Sequence, residues 1–99
     1  MKKFTKVYIL GKAYKVMWCK KLSSITSEED AYGIIDVDKN EIKVYDNDNW
    51  DDMLEWLLHE VGHAIESELN FDIGEKRMKL FSVGLADTLV RNKLVALDD

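Results

Sequence analysis

The chain contains no proline, a single cysteine and only two histidines, and each scarcity narrows what it can be. A lone Cys19 excludes an intrachain disulfide, and within its apolar, strand-like run it reads as a buried thiol. A reducing, cytoplasmic setting is therefore expected. No apolar stretch is long enough to cross a bilayer, so no membrane partner is expected. The N-terminal lysines precede neither an apolar segment nor a cleavage site, and do not read as a secretory signal. The missing proline removes one class of breaker and names no function. A basic excess is also missing. The formal net charge is −5 and no basic–aromatic run occurs, so no nucleic-acid partner is expected. Lys2, Lys3, Lys6, Lys12 and Lys15 make the first fifteen residues locally basic, as the solvated face of a strand pair would be.

What is present fits one small domain, residues 1–99, with one core. The chain has 99 residues, 46% hydrophobic and 33% charged. Phe4 to Leu10 and Ala13 to Cys19 are rich in Val, Ile, Tyr and Trp, and Gly11-Lys12 separates them as a hairpin turn would. Lys20 to Asp30 is polar and reads as a surface loop. Tyr32 to Val37 and Glu41 to Tyr45 form a second strand pair, with Asn40 suited to a left-handed turn position. Asn49 or Asp48 can cap the helix that follows, and Asp51 and Asp52 suit its first turn.

From Trp50 to about Asn70 the apolar residues recur at helical spacing: Trp50, Leu54, Leu57, Leu58, Val61, Ile65 and Leu69 form one stripe. Asp52, Trp56, His59, His63 and Glu66 share the opposite face. Gly74 marks a turn, and a second helix is expected from about Glu75 to Ala96, with Met78, Leu85 and Leu89 facing the core and Val83, Val90 and Leu94 widening that face. Gly84 in mid-helix suggests close packing against a neighbour. The expected class is α+β: a small, largely antiparallel sheet of two strand pairs packed against two helices.

The chemistry gathers in His59-Glu60-Val61-Gly62-His63, which holds both histidines. On a helix, residues four apart lie one turn above each other, so both rings can reach one ion. Zinc suits them, with Glu60 placed as general base towards a metal-activated water. A catalytic zinc takes a third protein ligand, here an acidic one because no further histidine exists. Glu66 stands seven residues from His59, about 10 Å along the axis, and fits better as a residue supporting a ligand. Glu75 opens the second helix on the face of Met78, Ser82 and Leu89, which should pack on the first. It ranks ahead of Asp72, Glu66 and Asp87. The expected reaction is hydrolysis of a peptide or protein substrate. Glu60 would pass the water proton to the leaving amine. Tyr8, Tyr14, Tyr32 or Tyr45 would stabilise the oxyanion, and a flanking strand would hold an extended peptide.

The run Leu57-Leu58-His59-Glu60-Val61-Gly62-His63-Ala64-Ile65-Glu66 resembles the active-site helix of the zincins, the HEXXH metallopeptidases. The order of two strand pairs, motif helix and second helix resembles the minimal gluzincins and small phage-encoded HEXXH proteins. In the latter, the second helix carries a stretch matching Leu80-Phe81-Ser82-Val83-Gly84-Leu85, followed by Asn92. The gluzincin third ligand is a glutamate on the helix after the motif helix. By position the resemblance assigns that role to Glu75, although Lys79 stands where those proteins usually carry an aspartate.

Two other readings share the motif. One is a non-catalytic, metal-stabilised binding or regulatory module from a phage or mobile element. The other is a latent peptidase whose cleft is filled by Met1 to Lys3 or Asp98 to Asp99.

Overall fold

The computed structural model describes residues 5–25 and 31–95. Phe4, Ala96 and the terminal segments of the latent reading lie outside them.

Leu10 and Gly11 turn the first hairpin with φ of 49° and 83°, joining β1 (Lys6–Ile9) to β2 (Lys12–Cys19). Lys6, Lys12 and Lys15 are exposed on this pair, as expected of a solvated face. After β2 the chain makes one 3-10 turn at Leu22–Ser24. A second hairpin joins β3 (Gly33–Asp36) to β4 (Glu41–Tyr45), turned at Asn40 with φ 54°.

The two hairpins do not sit side by side in chain order. The sheet runs β1-β2-β4-β3, and β2 pairs with β4 in parallel, with Val16 opposite Ile42 and Trp18 opposite Val44. The sheet is therefore mixed, which corrects the expectation of two antiparallel pairs. Burial accounts for the order. Tyr14 on β2 and Ile42 and Val44 on β4 are all fully buried. Bringing these strands to the centre hides the most apolar surface. β3, whose Ile34 is 41% exposed, takes the edge.

Asn49 caps α1 (Trp50–Leu69), its side chain accepting the Asp52 N–H at 3.3 Å. Asn70 closes the helix in the left-handed region. Gly74, with φ 89°, precedes α2 (Glu75–Arg91), which ends five residues before the expected Ala96. Leu57 and Ala64 of α1 pack on Tyr14, Val16, Ile42 and Val44 of the sheet. Trp50, Met53 and Leu54 pack on Ala86 of α2. α1 thus lies between the sheet and α2 and buries two faces, not the single stripe expected. Met53, Glu60 and Ala64 are buried for this reason, while Leu69 is 58% exposed at the helix end.

Met78, Ser82 and Ala86 form the buried row of α2. Gly84 is exposed, and a Cβ placed there would meet nothing within 4 Å, so it does not mark close packing. Cys19 is half-buried, not fully buried as expected. Among the described residues, no helix is long and apolar enough to cross a membrane.

Candidate metal centre

His59 and His63 stand one turn apart on α1, and Glu75 is the first residue of α2. The antiparallel return of α2 brings its N-terminus against the second half of α1. His59 Nε2 lies 2.6 Å from Glu75 Oε1, and His63 Nε2 lies 2.8 Å from Glu75 Oε2. The two Nε2 atoms are 3.1 Å apart. The three residues thus form a cluster of potential ligands, the first-ranked set of the sequence reading.

The other acidic candidates are engaged elsewhere. Asp72 Oδ1 accepts the Gly74 N–H at 2.8 Å within the interhelical turn. Asp87 binds Arg91 at 2.7 Å, a turn further along α2. Glu66 lies beside His63, its Oε1 2.6 Å from the ring Nδ1, while its Oε2 accepts the Ile73 N–H at 2.6 Å. A carboxylate only accepts, so Nδ1 carries the proton and donates. Glu66 therefore orients the His63 ring, as a residue supporting a ligand would.

The charges of the cluster suit a cation. Glu66 is held below the usual carboxylate range, first by the Ile73 N–H and then by His63. The largest single influence on His63 is burial, which disfavours its charged form. Glu66, Glu60 and Glu75 together outweigh it and raise its pKa.

Glu60 is 7% exposed, and burial pushes its pKa up to about 7, with His63 pulling it down and Glu75 pushing it up. Its side chain lies along β3. A Cβ on Gly33 would sit 3.0 Å from Glu60 Cγ and 3.2 Å from Oε2. A glycine within a strand often marks such a close approach. Gly33 is thus the one mark in the sequence of where Glu60 lies.

The aromatic surroundings separate the four tyrosines. Tyr32, next to Gly33, stacks on Trp56 with ring centroids 4.6 Å apart, and Tyr45 flanks the same indole at 5.9 Å. Trp56 packs against both rings. Tyr14 is fully buried and donates to Glu68 at 3.0 Å. Tyr8 is 73% exposed on β1, at the opposite edge of the sheet from β3.

The donor set passes a simple test of fit. Two imidazole nitrogens and one carboxylate match a three-ligand zinc site with an open fourth position. Bonds of about 2.0–2.1 Å in a tetrahedron place donors roughly 3.3 Å apart. The separations of 2.6, 2.8 and 3.1 Å would have to widen by roughly 0.2–0.7 Å to admit the ion. No protein-family model, curated protein or solved structure matches the chain.

Proposed function

We propose that this chain is a zinc-dependent peptidase domain of the HEXXH type, with a minimal zincin-like fold. The observation that carries the reading is the convergence of His59, His63 and Glu75 from two helices, beside the buried carboxyl of Glu60. His59 and His63 present Nε2, and Glu75 presents its carboxylate, as the residues that would hold the ion.

A zinc ion bound there supplies Lewis acidity, lowering the pKa of water and polarising a carbonyl. Glu60 does the proton work. A nearby cation favours its ionised form. The Glu60 carboxylate then accepts a proton from water and returns it to the leaving amine. Gly33 leaves room for that side chain, and β3 lies alongside as a sheet edge among the described strands. Such an edge holds an extended peptide by backbone pairing, which would set the substrate against Glu60. Tyr32, which precedes Gly33 and stacks on Trp56, is the candidate we choose to meet the oxyanion.

One observation favours the second reading, a metal-stabilised binding module. A surface hollow lined by Ile34, Val37, Asp36, Glu41, Lys39 and Lys43 among others, and so largely charged, lies on the sheet, apart from the triad. Glu60→Gln separates the two readings. A peptidase variant keeps one zinc per chain and loses turnover of an unfolded-protein substrate by about a hundredfold or more. Zinc-loaded wild-type protein that cleaves nothing across a broad peptide library supports the binding module.

A further inference from the structure

Glu75 is a ligand candidate with little to hold it. Its side chain is 74% exposed, so burial does not fix the carboxylate between the two imidazoles. The backbone of α2 must do so. Two contacts flank it. Before Glu75, the Ile73 N–H is tied to the buried carboxylate of Glu66 on α1. After it, Met78 lies one helical turn on, 2% exposed, with its thioether over Gly62.

The Gly62 contact is closer than any side chain would allow. A Cβ on residue 62 would stand 2.2 Å from Met78 Sδ and 2.9 Å from its Cε. Gly62 lies between the two histidines in sequence, so the notch that receives Met78 is built into the motif itself. The helix distance set there is the distance across which Glu75 must reach.

We infer that the Gly62–Met78 contact is a spacer that sets metal affinity, with both residues acting through Glu75. They are positioning residues and touch no ligand atom. The inference rests on reading the triad as a metal site and does not depend on catalysis. A methyl group at position 62 must displace either the methionine or the helix. The displaced thioether, on a residue only 2% exposed, has to repack among buried neighbours, and we take the helix to yield with it, withdrawing Glu75. Loss of a positioning contact of this kind weakens metal binding by about ten- to a hundredfold.

The test is zinc titration against a competing chelator for wild type, Gly62→Ala, Glu75→Gln and the double variant. Circular dichroism checks that each is folded. Gly62→Ala should raise the zinc Kd at least tenfold, and should add less than twofold in the Glu75→Gln background, where the ligand it positions is gone. Shortening the methionine in Gly62→Ala/Met78→Ala should restore affinity even if stability falls, a pattern general destabilisation does not produce. If Gly62→Ala is unfolded, Met78→Ala alone should loosen zinc binding and lose that effect beside Glu75→Gln. Full affinity in Gly62→Ala means the thioether swings aside and overturns the spacer alone. An equal loss with and without Glu75→Gln also overturns it. No zinc uptake by wild type overturns the metal reading itself.

Discussion

Glu66 Oε1 lies 2.6 Å from His63 Nδ1, so the ring nitrogen turned towards Glu75 is Nε2. The same carboxylate accepts the Ile73 N–H, two residues before Glu75. One buried side chain therefore orients a histidine on α1 and anchors the turn that delivers the third member of the triad.

Glu66→Ala should weaken zinc binding by about ten- to a hundredfold, because it frees the His63 ring and loosens the turn together. Titration against a competing chelator reads this directly. Unchanged affinity would show that the His63 ring is held by packing.

Gly33→Ala should reduce turnover by about tenfold and leave zinc stoichiometry at one. The added methyl presses on Glu60 Cγ at 3.0 Å and shifts the carboxyl, while His59, His63 and Glu75 stay in place. Activity measured beside metal content separates this from loss of the site.

Glu60 gives the metal-free protein a pH-dependent stability. Its folded pKa is raised to about 7, so the fold favours the neutral carboxyl. That contribution is complete below the unfolded value and is lost as pH rises through 7. In chelator, Glu60→Gln should match wild type near pH 4 and exceed it at pH 8, by up to about 3 kcal/mol. Urea titrations at both values check it. Zinc should shrink the difference, since a cation favours the ionised form.

Glu68 behaves in the opposite sense. Lys12 first and the Tyr14 hydroxyl next hold its pKa below the usual carboxylate range. Its contribution is present above the unfolded value and disappears as pH falls through the folded one. Glu68→Gln should therefore flatten the acid limb of the stability profile and have its largest effect at neutral pH. Thermal melts between pH 3 and 7 test the sign.

The local elements were legible because each had a local cause. Asn49 caps, Gly11 and Asn40 accept positive φ, and the spacing from Trp50 to Leu69 is helical. The placement of Glu75 also followed from periodicity, since Met78 and Ser82 on its face are buried. Sheet order was not legible. The parallel pairing of Val16 with Ile42 depends on long-range burial that neither hairpin encodes by itself. The glycines show the same limit. Gly84 looked like a packing residue, yet it faces away from α1, while Gly62 and Gly33, which receive Met78 and Glu60, lie where only tertiary contacts reveal their use. The sequence offers Glu60 as a general base beside the histidines but not its burial, which follows from α1 being enclosed on two sides.

The central claim is that His59, His63 and Glu75 hold one metal ion. X-ray absorption at the zinc edge, on protein loaded with one equivalent, tests it most directly. The account predicts two imidazole nitrogens at about 2.0–2.1 Å and two oxygens, one of which is lost in Glu75→Ala. A spectrum unchanged by Glu75→Ala, or protein that retains no zinc after desalting, would contradict it.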